Sequence, residues 1–129
     1  MTSVTVMVVD DHDDLRTMAV RLLAMLGHDA LEARDGLDAE ALMREQGSRI
    51  QAVLLDVYLR SGPSGELADR LERARPGLRV LFMSGYGRDD VGGCGLPAPR
   101  RHFIEKPFSL GALSAALTTL LASDPDGAG

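Results

Sequence analysis

Two unbroken apolar runs, each closed by aspartate, constrain this chain more than any other feature. Val4-Thr5-Val6-Met7-Val8-Val9 ends on the pair Asp10-Asp11, and Ala52-Val53-Leu54-Leu55 ends on Asp56. A strand with one wet face alternates apolar and polar residues. A run without alternation reads as a strand buried on both faces, the pattern of a parallel sheet covered by helices. Two later strand-like runs follow: Val80 to Met83 leads to Ser84, and His102 to Lys106 closes on its lysine. Open α/β sheets place their ligands just outside the carboxyl ends of the strands. Three carboxylates, one hydroxyl and one ammonium therefore converge on one pocket, which suits a divalent cation and a phosphoryl group.

Between these runs the apolar period changes from strand to helix. Leu15, Met18, Ala19, Leu22, Met25 and Leu26 recur at helical spacing, and Gly27 stands where a C-terminal cap belongs. His28 to Ala33 is a short second strand. Asp35 and Gly36 open a helix carrying Leu37, Ala41 and Leu42, closed by Gly47. The third strand leads through Ser61-Gly62-Pro63-Ser64-Gly65 into a helix with Leu67, Ala68 and Leu71, which Pro76-Gly77 stops. Arg88 to Gly95 is the poorest helix candidate, because each interior glycine costs about 1 kcal/mol relative to alanine. Ser109 caps a last helix with Leu110, Leu113, Leu117, Leu120 and Leu121 on one face. Strand and helix thus alternate five times. Right-handed crossovers put the helices on both faces of a doubly wound, five-stranded parallel sheet. The flavodoxin-like order 2-1-3-4-5 brings Asp10-Asp11 and Asp56 together at the switch point.

Length and charge narrow the function classes. At 129 residues the chain suits one domain, residues 1–122, with 123–129 as a disordered tail or linker lacking any apolar face. The formal charge is −5 and the arginines are scattered, so no direct nucleic-acid surface is expected; Arg100-Arg101-His102 reads as a solvated loop. The lone Cys94 cannot form an internal disulfide, which fits a reducing cytoplasm. No apolar stretch approaches the ~20 residues needed to span a bilayer, so no membrane insertion is expected.

Three clustered carboxylates repel one another, and a hard dication relieves that repulsion; magnesium suits such oxygens and also takes phosphate oxygens. A carboxylate can attack a phosphoryl group to give an acyl phosphate. Phosphoryl transfer asks mainly for positioning and charge neutralisation, which the Lys106 ammonium and the Ser84 hydroxyl supply beside the metal. Lys106-Pro107 permits a cis peptide.

These residues resemble the motifs of the receiver domain of two-component response regulators, from Val4 to about Ala122. The motifs are Val8-Val9-Asp10-Asp11, Leu54-Leu55-Asp56-Val57, Met83-Ser84-Gly85-Tyr86 and Glu105-Lys106-Pro107-Phe108. The resemblance implies Asp56 as phosphoacceptor. It implies Asp10, Asp11, Asp56 and the Tyr58 backbone carbonyl as ligands to Mg2+, or Mn2+ in its place. Ser84 and Lys106 would bind the phosphoryl group, Ser84 and Phe103 would form a switch pair, and the peptide before Pro107 would be cis. A histidine kinase or histidine phosphotransfer protein would donate the phosphoryl group. A downstream protein would dock on the fourth helix, fifth strand and fifth helix. The wording around Ser84-Gly85-Tyr86 is similar to receivers of hybrid histidine kinases, so the chain is a stand-alone receiver or one cut from a longer protein. Arg60 departs from the pattern, since many relatives carry proline there.

Taken singly, each motif has an ordinary reading. Asp10-Asp11 suits capping of the following helix, Asp56 a strand-end turn, Ser84-Gly85 a turn and Lys106 a surface lysine. His12, Asp13 and Asp14 read as solvating the first helix, and Phe103 as core. Two other functions compete with a switch. One is a constitutive interaction domain that needs no phosphorylation. The other is an aspartate-nucleophile phosphohydrolase, which would carry a second aspartate where Tyr58 stands.

Overall fold

The computed structural model describes residues 3–85 and 101–122. Among the described residues seven strands and four α-helices follow in the order β1 (Thr5–Val9), α1 (Asp13–Met25), β2 (Asp29–Ala33), α2 (Gly36–Gln46), β3 (Ile50–Asp56), β4 (Tyr58–Leu59), β5 (Gly62–Pro63), α3 (Gly65–Ala74), β6 (Arg79–Ser84), β7 (Arg101–Glu105) and α4 (Leu110–Ala122). A single turn of 3-10 helix, Gly47–Arg49, joins α2 to β3. The helix expected over 88–95, together with Tyr86, Cys94, Arg100 and the tail at 123–129, lies outside the described residues.

The main sheet runs β2-β1-β3-β6-β7, all parallel. This is the expected 2-1-3-4-5 order, β6 and β7 being the fourth and fifth strands of the sequence reading. Residues alternate across it to build two cores. Met7, Val9, Val53, Leu55, Val80 and Phe82 face α2 and α3, meeting Ala39, Met43, Leu67 and Leu71. Val6, Val8, Ala52, Leu54, Leu81 and Met83 face α1 and α4, meeting Ala19, Leu23, Leu113 and Leu117. The central strands are therefore sealed on both sides, which is why their sequences carry no polar alternation.

Local chemistry sets the element ends. At the end of α1, Gly27 takes φ +87°, its N–H donates to the Ala24 carbonyl and the His28 N–H donates to Leu23. This paired closure needs a left-handed residue, a conformation glycine adopts without steric cost. Asp35 caps α2, its carboxylate accepting from the Asp38 amide at 2.8 Å. The Ser109 hydroxyl accepts from the Ala112 amide at 3.1 Å at the start of α4.

Two details differ from the sequence reading, and a third gains its geometry. Leu37 is 79% exposed, and α2 buries Ala39 and Met43 instead. Two residues turn a helix by about 200°, so Leu37 and Ala39 cannot share a face. Gly47 closes α2 as expected, with a right-handed φ of −55°, and leads directly into the 3-10 turn. In α1 the buried stripe is Arg16, Ala19 and Leu23, while Met25 is 68% exposed. The stripe is rotated from the expected one, and an arginine occupies one of its places.

Candidate functional site

The strand ladders deliver four polar residues to one edge of the sheet. Val9 pairs with Leu55 across β1 and β3, so Asp10 and Asp56 leave the sheet side by side. Backbone bonds hold these exits: the Asp10 N–H donates to Ala33, Val57 to Met83 and Lys106 to Ser84. Asp10, Asp56 and Ser84 are all buried. By alternation, Ser84 and Phe103 share the side of Phe82, on which the Phe103 ring stacks at 5.3 Å between centroids.

Lys106 reaches back over this edge. Its ammonium lies 3.2 Å from Asp56 Oδ2 and 3.4 Å from Asp10 Oδ2, so two buried carboxylates share one cation. The Lys106–Pro107 peptide bond is cis. Burial pushes the Asp56 carboxyl above its ordinary range; the Lys106 charge pulls it down and the Asp10 charge pushes it up again. Asp56 Oδ1 accepts from the Tyr58 amide at 3.2 Å. With Asp11 added, the edge holds three carboxylates to one ammonium.

Asp11 is oriented from across the pocket. Its Oδ2 accepts from the Arg60 backbone N–H at 2.7 Å, at the turn of the two-residue hairpin β4–β5. Any residue but proline supplies that donor, so the arginine standing at 60 lets the hairpin clasp the acidic pair. Gly62, at φ +120°, closes the turn.

Three supporting residues escaped the sequence reading. Arg16 is buried: its guanidinium donates to the Asp10 carbonyl at 2.9 Å, to Glu32 at 3.1 Å and to Asp13 at 2.6 Å. Those contacts tie α1 and β2 to the end of β1, and the Arg16 hydrogen bond holds the exposed Asp13 carboxyl below its ordinary range. The signal was its spacing, since Arg16, Ala19 and Leu23 form an i, i+3, i+7 stripe. Ser64, also buried, donates its hydroxyl to the Asp56 and Val57 carbonyls and so fixes the backbone after the acceptor strand. His12, expected to face water beside α1, does stay largely exposed, yet its Nδ1 lies 3.0 Å from Asp10 Oδ1 and 3.2 Å from Asp11 Oδ1. A histidine directly after two aspartates was the available signal.

Ligand atoms from Asp10, Asp11, His12 and Asp56 lie within 4.8 Å of one another, a set dominated by carboxylate oxygens that fits a hard dication. Beside it opens a cavity of about 450 Å³ lined by His12, Asp56, Tyr58, Gly85, Lys106 and Pro107 among others. A larger cleft of about 660 Å³, edged by Arg34, Arg60 and Arg70, shares only Asp11 with this cluster. We place the chemistry in the smaller one, because it alone meets both Asp56 and Lys106.

Known proteins share this architecture. The profile of the response regulator receiver domain matches residues 6–118. The sensor kinase CckA of Brucella abortus is 33% identical over 120 residues, 92% of this chain and 13% of that protein. The phosphate regulon transcriptional regulatory protein PhoB of Pseudomonas aeruginosa is 32% identical over 124 residues, 94% of this chain and 53% of that protein. The chain thus spans about half or less of these relatives. The crystal structure of the receiver domain from the hybrid histidine kinase CckA superposes with a TM-score of 0.76 at 26% identity, covering 91% of this chain and 98% of that one.

Proposed function

This chain belongs to the response regulator receiver domain family, a signalling module of two-component systems, and from that premise we propose that it signals by accepting a phosphoryl group on Asp56. The observation that carries this reading is the shared cation: Asp56 and Asp10, both buried, are held by the one ammonium of Lys106.

An Asp56 carboxylate oxygen attacks the phosphorus of a phosphohistidine on a histidine kinase or histidine phosphotransfer protein. The O–P bond forms as the P–N bond breaks, and the departing imidazole keeps the electron pair and takes up a proton from water. Lys106 stays beside the acceptor and pairs with the incoming oxygens, while the Ser84 hydroxyl donates to one of them. Asp10, Asp11 and Asp56, with the Tyr58 carbonyl, would hold Mg2+ or Mn2+, which supplies neutralising charge to the phosphoryl oxygens. Arg16 and Ser64 keep the two strand ends in register. Hydrolysis of the acyl phosphate returns the site to its starting state.

We read the output surface as β7 and α4 together with residues 88–95, where the sequence leads one to expect a further helix and which lie outside the described residues. Phosphorylation would draw the Ser84 hydroxyl toward the new oxygens, and Phe103, stacked on Phe82 and 36% exposed, would turn inward. The compartment that suits this role is the cytoplasm. Among the described residues no helix is long and apolar enough to cross a membrane. Whether the receiver acts alone or within a hybrid kinase decides which partner reads it.

Labelling by acetyl phosphate tests the metal requirement. We expect stoichiometric labelling with Mg2+, loss on chelation, and Asp11→Ala to need at least about tenfold more Mg2+ for half-labelling, as it removes an oxygen ligand. Labelling that proceeds equally without a dication would contradict the proposal.

A further inference from the structure

His12 sits at the start of α1, in extended backbone at φ −93° and ψ 111°, where a side chain commonly caps the helix. Its side chain makes no capping hydrogen bond. The ring instead lies over the carboxylates: Nδ1 is 3.0 Å from Asp10 Oδ1, 3.2 Å from Asp11 Oδ1 and 4.0 Å from Asp56 Oδ2. Its backbone N–H reinforces the arrangement, donating to Asp10 Oδ1 at 2.9 Å.

Two of the oxygens facing the ring, Oδ1 of Asp10 and Oδ1 of Asp11, are not those that Lys106 and the Arg60 amide hold, while the third, Asp56 Oδ2, also lies 3.2 Å from the Lys106 ammonium. Lys106 takes Oδ2 of Asp10, and the Arg60 amide takes Oδ2 of Asp11. The two Oδ1 atoms lie 3.0 and 3.2 Å from Nδ1. In an octahedron with bonds of about 2.1 Å, neighbouring donors stand about 3.0 Å apart and opposite ones about 4.2 Å. The spacings of 3.0 and 3.2 Å from Nδ1 to the two Oδ1 atoms match those edges. Imidazole nitrogen is a good donor to first-row transition dications and a poor one to magnesium, which favours oxygen.

We propose that His12 is a nitrogen ligand to the cation of this site, so that the receiver selects first-row transition dications over Mg2+. The inference rests on the carboxylates holding a dication at all. It adds a nitrogen donor and a stronger preference for transition dications than oxygens alone give. The ring is 63% exposed, so its removal leaves no hole in the core.

The test uses the whole domain, its His12→Ala and His12→Phe variants, and Mn2+, Zn2+ and Mg2+ in turn. Titration calorimetry should show Zn2+ affinity falling by roughly tenfold or more in both variants, Mn2+ by a smaller factor, and Mg2+ by less than about twofold. Pulsed electron spin resonance of the Mn2+-loaded domain should show coupling to an imidazole 14N, lost in both variants. Binding of Mg2+ and Mn2+ with no nitrogen coupling and unchanged selectivity would overturn the role of His12 and leave the carboxylate site standing. Failure of the unaltered domain to bind any of the three ions would overturn both.

Discussion

The interior of the sheet and its carboxyl edge are buried to nearly the same degree and held by opposite means. Val8, Val9, Leu54 and Leu55 have no exposed surface; Asp10 has none either, and Asp56 only 5%. For the aliphatic residues burial is itself the stabilising term, about 25 cal/mol for each Å² removed from water. For the two aspartates it is a cost, met by Lys106, by backbone amides and by the geometry of their neighbours. The interior makes the edge rigid enough to tolerate that cost. A preorganised charged site is what phosphoryl transfer requires.

If that contrast is right, substitutions two positions apart should move stability in opposite directions. The largest effect belongs to the interior. Leu54→Ala should cost about 3 kcal/mol or more, read as a lower denaturation midpoint, because the sealed core on the α1 and α4 side cannot collapse around the gap. A loss below about 1 kcal/mol would mean that this core is loosely packed. Next comes the seam between the regions: Arg16→Met should cost about 2 kcal/mol, as the Asp10 carbonyl and Glu32 lose their partner. An unchanged midpoint would show that β1 needs no such tie.

The edge should respond with the opposite sign. Asp56→Asn removes one of two carboxylates sharing Lys106 and should stabilise the metal-free domain near neutrality by on the order of 1 kcal/mol. Its pH dependence follows from burial raising the Asp56 carboxyl. The folded state binds a proton that the unfolded chain has already lost, so Asp56 weakens stability as pH rises from the ordinary carboxylate range through its own raised value. The gain from Asp56→Asn should therefore be full above that window and vanish below it. A gain that grew toward acid would reverse the account.

The two regions were also unequally legible in the sequence. The apolar runs of β1 and β3 declared the sheet, and their terminal aspartates declared its edge, because strand order follows from how buried parallel strands connect. The closure at Gly27 was equally plain. The hairpin β4–β5 was not, since two residues per strand carry no measurable period, and its hold on Asp11 uses a backbone N–H that every residue but proline owns. Ser64 and His12 were hidden for a related reason. A serine in a Ser-Gly-Pro-Ser stretch reads as a turn former until the fold buries it, and a histidine at a helix start reads as merely solvated until its ring nitrogen is placed beside the carboxylates. Arg16 was concealed by the rule that arginines face water; only its place in the buried stripe betrayed it.

The central claim is that Asp56 is the acceptor, and the direct measurement is tandem mass spectrometry of the domain after acetyl phosphate and magnesium. The account predicts one phosphoryl group, on the peptide carrying Asp56, and none in Asp56→Ala. Phosphate on His12, Asp10 or Asp11, or full labelling of Asp56→Ala, would contradict it.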